Sequence, residues 1–337
     1  MKPNRFLNAI KGYAKSTSAP AVYLFIVASL FVAFFTSANF DLAYAQSFLN
    51  NNITLICLCI GEGLVVLTGG IDISLGSMVS MCNVLIVTLI NGGMPVGVAI
   101  VVMLAAAVIA GGINGIMVGV MRINPLLTTY ATSIIYGGIA LVITRTPIFL
   151  HTTVLSDFYL LELFEFLPLN LIFILIPYAL WKIFKRTPAG THLYAVGENE
   201  YSAYSSGINV VGIKVIVYCF SGLTAGIGAL AITSMIQGGN PLLGESMSLT
   251  AVSAVVIGGI SLSGGKGDLG GGIFGCMFLF MLSNIIIFLG VNTFWQELLK
   301  TLILLITVVI SVLLSDEQER TKIKKGLGYV RKPIGSK

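Results

Sequence analysis

The feature that most constrains this chain is a succession of long apolar runs separated by short polar or Gly-rich interruptions. Ten segments can be read, at about 21–38, 48–67, 74–91, 95–120, 125–144, 166–183, 213–236, 249–263, 268–290 and 297–314. A helix crosses a bilayer with roughly 20 apolar residues, whereas a membrane barrel would show short alternating segments. Composition agrees. The 337 residues are 56% hydrophobic and 10% charged, against about 45–50% and about 25% in ordinary soluble domains. So few charges cannot cover a soluble surface, which excludes a soluble enzyme, a disordered chain and a nucleic-acid-binding domain. The expected fold is all-α and integral to the membrane, with about ten transmembrane helices, some of them Gly-broken. The eighth segment is short, ends in Gly and need not cross fully.

Lys and Arg set the orientation. With a cytoplasmic N-terminus, 17 of the 19 basic residues fall in inside segments. Asp41, Asp157, Glu162, Glu165 and Glu245 fall outside. This bias places both termini in the cytoplasm. The expected organisation is a tail at 1–20, a transmembrane domain at 21–314 and a basic tail at 315–337. Lys2–Lys15, the run at 21–35 and Ala43-Tyr44-Ala45 have the outline of a cleavable signal peptide. The charged region is long for one, and an uncleaved first helix fits more simply.

The longest polar interior stretch, 185–212, is cytoplasmic by the charge argument. Pro188 and Gly190 are expected to break the preceding helix. A short helix over Glu198–Ser206 would end at Gly207. In the outside segment 145–165, the apolar spacing of Tyr159–Phe166 suggests a short interfacial helix. Cys57, Cys59, Cys82, Cys219 and Cys276 all lie within apolar runs, an arrangement that argues against a disulfide framework.

The densest signal is GEGLVVLTGGIDISLGSM at 61–78. Gly69-Gly70 lets the backbone leave helical geometry, which lipid tolerates only where protein or a water-filled cavity satisfies the freed groups. Asp72 and Ser74 follow at once, either near a substrate path or as a cap on the next helix. Glu62, inside the second span, must face the bundle interior, be paired or be protonated. A second break, VVIGGISLS at 255–263, echoes VVLTGGIDIS at 65–74 with one residue missing. Thr128, Thr132 and Tyr136 share one face of the fifth span, and Asn114 and Asn284 add intramembrane amides. These residues either line a hydrophilic path or bond within the bundle. Gly111, Gly115 and Gly119, Gly222 and Gly226, and Gly267, Gly271 and Gly275 form small-residue faces suited to close helix contact. Glu297 and Lys300 are spaced for an ion pair.

A phosphate-binding loop is missing around Gly265-Lys266, where Ile260 and Gly267 replace the required Gly and Ser/Thr. With His151 and His192 the only histidines, a Ser-His-Asp site is not expected, nor a His-rich metal site. The chain is expected to be neither an ATPase nor another enzyme.

Three stretches carry a family resemblance: LVVLTGGIDISLGSM at 64–78, YAVGENEYSAYSSGINVVGIKVIVY at 194–218 and AVVIGGISLSGGKGDLGG at 254–271. With GVNTFWQELLKTLILLITVVI at 290–310, the chain resembles the permease subunits of bacterial ATP-binding-cassette importers for ribose and other simple sugars. Nucleoside, autoinducer and branched-chain amino acid permeases are relatives. The resemblance implies a multi-pass protein of the cytoplasmic (inner) membrane, paired with an identical or paralogous permease. It further implies two cytoplasmic subunits that bind ATP and Mg and a soluble solute-binding protein outside. The same resemblance makes Gly190, Tyr194, Gly197, Glu200, Ala203, Gly207 and Asn209 the ATPase-coupling residues. It places 69–74 near the path, whose candidate lining is Glu62, Asp72, Ser74, Asn114, Thr128, Thr132, Tyr136 and Asn284.

The expected mechanism is alternating access driven by the partner ATPases, with Gly207 sensitive to a bulky replacement. Two rivals of other classes stand beside it. An ion-coupled transporter would use Glu62 or Asp72 and stop with an uncoupler; a membrane scaffold would show no uptake defect on deletion.

Overall fold

The computed structural model describes residues 18–35, 42–163 and 167–292, with scattered positions from 295 to 306. The apolar runs become helices α1 (Ala19–Phe35), α2 (Leu42–Leu67), α3 (Leu75–Asn91), α4 (Val96–Gly119) and α5 (Pro125–Ile143). A two-residue strand β1 (Ile148–Phe149) and helix α6 (Val154–Leu160) follow, then strands β2 (Glu162–Leu163) and β3 (Leu167–Pro168). Next come α7 (Ile172–Lys185), α8 (Pro188–Glu198), α9 (Glu200–Ser205), α10 (Val210–Ile236), β4 (Gly238–Gly239), α11 (Met247–Ile257) and α12 (Leu269–Phe288). Five of these helices, α2, α4, α5, α10 and α12, are long and apolar enough to cross a membrane; α1, α3 and α11 are apolar but shorter. The tenth expected span lies largely outside the described residues, as do most of both tails and the expected Glu297–Lys300 pair.

Helices α2 and α10 pack against each other at the centre. Helix α4 lies along α10, α3 packs between α5 and α10, α11 and α12 cover the other side of α2, and α1 packs on α12. Lipid is as apolar as leucine, so helix association depends on close packing. Here that packing is set by glycine. A methyl group on Gly111 would overlap the Tyr218 carbonyl, and one on Gly222 would overlap that of Ala107, which brings α4 onto α10. Gly271 and Gly275 bring α12 onto α11 in the same way, against the carbonyls of Gly258 and Ala254. Gly267 is not part of that face: it precedes the helix, with φ of 124°.

Three sequence expectations need correction. Pro188 does not merely break a helix; it begins α8, occupying the first turn after the Thr187 N-cap, where proline's missing N–H costs nothing. Helix α9 covers Glu200–Ser205, a shorter stretch than expected, because Asn199 caps it by accepting from Ser202 N. The helix expected over Tyr159–Phe166 is instead Val154–Leu160, further upstream, and the residues after it pair as β2 and β3, Glu162 opposite Pro168. Strands β1 and β4 pair antiparallel, Ile148 opposite Gly239.

Candidate functional site

The site is built around the broken end of α2. Val65-Val66-Leu67 ends in a left-handed glycine, Gly69 (φ 79°), whose N–H donates to Val66 O at 2.9 Å while Gly70 N–H donates to Val65 O at 3.1 Å. This is a Schellman cap. Helix α11 ends identically: Gly259 (φ 82°) N–H donates to Val256 O at 2.9 Å, and Ile260 N–H to Val255 O at 3.2 Å. The two caps therefore correspond residue for residue, VVLTGG to VVIGGI, so the residue that the sequence echo leaves out before the paired glycines is not missing from the cap.

After the α2 cap, residues 71–74 run as irregular backbone, buried at Asp72 and Ser74 and half-buried at Ile71 and Ile73, and side chains replace the absent helix hydrogen bonds. Both carboxylate oxygens of Glu62 accept from Asp72 N at 3.2 Å. Asp72 accepts from Ser74 N at 3.0 Å, Ser74 Oγ at 2.6 Å and Ser221 Oγ at 3.2 Å. Thr129 Oγ1 donates to Ile71 O at 3.0 Å and accepts from Ile73 N at 3.2 Å. Asn114 Nδ2 donates to Ser74 Oγ at 2.8 Å, and Tyr136 OH reaches Asn114 Oδ1 at 3.5 Å and Ala110 O at 2.9 Å. Asp72 is not the N-cap of α3; Ser74 is.

The structure thus joins Glu62, Asp72, Ser74, Asn114 and Tyr136 into one fully buried network. Thr128 and Thr132 share its face of α5 and are equally buried. The opposite face of that helix, with Leu127, Tyr130, Ile134 and Val142, is exposed. Asn284 stands apart, its amide donating to Tyr44 OH at 3.4 Å near the other end of α2. Sequence reading missed Thr129 and Ser221, because their spacing resembles that of any buried hydroxyl. It also missed Tyr218, whose buried hydroxyl beside Gly70 has no partner among the described residues.

The polar segment after α7 sits on both breaks. Gly197, near the end of α8, meets the Leu67 carbonyl and Gly265 N so closely that a methyl group would overlap them. Gly265 N itself donates to Leu67 O at 3.0 Å, and Gly264 (φ 81°) packs against the backbones of Gly69 and Gly197. Tyr194 OH donates to Gly267 O at 3.1 Å. Lys185 lies over the rings of Trp181 and Tyr194 and pairs with Asp268, the N-cap of α12. Burial pushes the Asp268 carboxyl up, but Lys185 and the Gly270 N–H outweigh it and hold the group below its ordinary value.

The remaining coupling candidates hold local geometry. Gly190 permits the tight turn over Phe184 and Lys185. Ala203 is buried. Gly207 (φ 80°) ends α9, and Asn209 caps α10 by accepting from Gly212 N at 2.9 Å. Glu200 pairs with Lys214 at 2.7 Å. The outward face of α9 carries Tyr201 and Tyr204, 80% and 68% exposed. Two aromatics three residues apart in a polar loop were a readable signal that sequence analysis passed over. They border a cleft of about 620 Å³ that also holds Arg122, Asn209 and Lys214.

A family model described as "Branched-chain amino acid transport system / permease component" matches residues 44–308. The ribose import permease protein RbsC of Bacillus subtilis is 34% identical over 260 residues, 75% of this chain and 80% of that protein. RbsC of Haemophilus influenzae is 31% identical over 299 residues, 85% of this chain and 91% of its own length. The autoinducer 2 import system permease protein LsrC of Escherichia coli is 30% identical over 279 residues, 81% and 79% of the two chains. No solved structure matches.

Proposed function

Because the chain belongs to the family of branched-chain amino acid transport system permease components, as a membrane permease subunit of an ATP-binding-cassette importer, we propose that it carries a simple sugar of the ribose class. The RbsC relatives support that cargo. The observation that carries the mechanism is the seating of α8 on both helix breaks through Gly197, with the exposed Tyr201–Tyr204 face turned outward from it. A cytoplasmic ATPase subunit gripping α9 would move α8, and α8 cannot move without displacing the end of α2 and the 264–268 loop that precedes α12. The buried network at Asp72 lets α2 and α3 respond as one unit, because the irregular backbone between them is bonded to α4, α5 and α10.

On this reading the chain crosses the membrane ten times with both termini in the cytoplasm, and the path runs between two permease copies. ATP and Mg belong to the partner subunits, and a soluble binding protein docks outside. Glu62, Asp72, Ser74, Asn114 and Tyr136 act beside the path by holding the break, Thr128 and Thr132 flank them on α5, and all become accessible to solute only when the break rearranges. LsrC among the relatives supports a second cargo, an autoinducer. Gentle purification of tagged chain from native membranes, followed by mass spectrometry, tests the assembly. A stoichiometric ATPase subunit is expected. A chain that comes alone, where a known cassette complex survives, refutes it. Competition of labelled ribose uptake by autoinducer or leucine then separates the cargoes.

A further inference from the structure

A cleft of about 340 Å³ lies at the end of the bundle away from α8 and α9, between the start of α2, helix α6 and the end of α10. Its polar lining includes Ser47, Asn50, Asn51, Ser234 and Gln237, and among the described residues no charged side chain lines it directly. Gln46, also in the wall, takes up the Glu162 carboxylate at 3.1 Å. The first turns of α2, AYAQSFLNNN, are polar in a helix whose remainder is apolar. Gln237 is held in the left-handed region (φ 51°), which is strained for a residue with a Cβ. The β1–β4 ladder keeps it there, through Leu150 N donating to Gln237 O at 2.9 Å. Its side-chain amide has no partner among the described residues. Asn51 Nδ2 donates to Ser47 O at 2.9 Å, which leaves Oδ1 open.

We propose that this cleft is an outward-facing subsite that admits a neutral polyhydroxylated solute to the transport path. Each sugar hydroxyl both donates and accepts, and Asn and Gln amides offer both functions. A zwitterionic amino acid would bring a full carboxylate to walls that offer it no cation among the described residues and that back onto the Glu162 carboxylate, a costly placement. The volume is at the small end of the ligand-pocket range, about 300–1,000 Å³, and suits one monosaccharide. Neutral bonds in an open cleft hold the solute weakly, as passage requires. The outward placement and the sugar cargo rest on the function proposed above.

Saturation-transfer NMR on the full chain in nanodiscs, with D-ribose and L-leucine as probes, tests the site without any ATPase. Wild type should show ribose signals and no leucine signals. Ser47→Trp, which fills the cleft from an exposed position, and Asn51→Leu, which removes an amide without adding bulk, should each lose more than half the ribose signal. A smaller loss in a folded variant, absence of the wild-type ribose signal, or an equal leucine signal overturns the inference. Labelled ribose uptake by cells expressing the whole transporter separates the two readings. No wild-type uptake refutes the cargo. Wild-type uptake with Ser47→Trp unaffected refutes the cleft alone.

Discussion

Gly197 rests directly on the carbonyl of Leu67, the last residue of α2, with no room between them for a methyl group. The polar segment after α7 and the central helix α2 are therefore in backbone contact. Any Cβ at this position must push the two apart.

Gly197→Ala is expected to lower coupled uptake about tenfold, a coupling change of ~1.4 kcal/mol, with an overpacking cost of about 1–3 kcal/mol in thermal stability. Parallel measurement of ATP hydrolysis and uptake in proteoliposomes checks it. Gly207→Ala is the comparison. A methyl there meets nothing within 4 Å, so only the backbone strain of φ 80° remains, worth about 1–2 kcal/mol, and coupling should survive better than in Gly197→Ala.

Asp72 accepts from three groups, so Asp72→Ala strands the Ser74 amide and two hydroxyls in a dry interior. A loss of about 1–3 kcal/mol per stranded group is the ordinary scale. Asp72→Asn keeps an acceptor and should cost less. Thermal melting of wild type and both variants in detergent orders them, and Asp72→Ala melting with wild type would mean that the network contributes nothing to stability.

Tyr218→Phe removes a buried hydroxyl that has no partner among the described residues. Melting temperature should stay level or rise, by an amount equivalent to no more than ~1 kcal/mol. A drop in uptake at unchanged stability would show that the hydroxyl finds a partner during the transport cycle, when the break beside Gly70 rearranges.

The Asp268–Lys185 pair sets a pH dependence. Asp268 titrates below its ordinary value in the folded chain, so the unfolded state holds the proton more tightly. The pair's contribution is complete above the unfolded pKa of ~3.9 and is lost as pH falls through the lower folded value. The stability gap between wild type and Asp268→Asn should therefore be level near neutrality and narrow as pH falls below about 4, which melting curves across pH would show.

Much of this was legible in the sequence. A run such as 95–120 reads as a helix and appears as Val96–Gly119, because apolar length alone decides it. The breaks at Gly69 and Gly259 were visible too, since only glycine enters the left-handed conformation without cost. Boundaries failed where polarity masked helix: α2 begins at Leu42 rather than 48, because its first turns are amides and hydroxyls, and α8 begins at a proline that was read as a stop.

The sequence by itself determined the class of protein, its long apolar helices and the two places where they break, since these depend on local composition and backbone sterics. Partnership was decided only by the tertiary structure. That Glu62 serves the amide of Asp72, that Thr129 bridges Ile71 and Ile73, and that Asn284 belongs elsewhere are consequences of how α2, α4, α5, α10 and α12 pack. Buried polar groups are satisfied by whatever neighbour the packing brings within about 3 Å, and a linear pattern of hydroxyls and amides does not encode that neighbour.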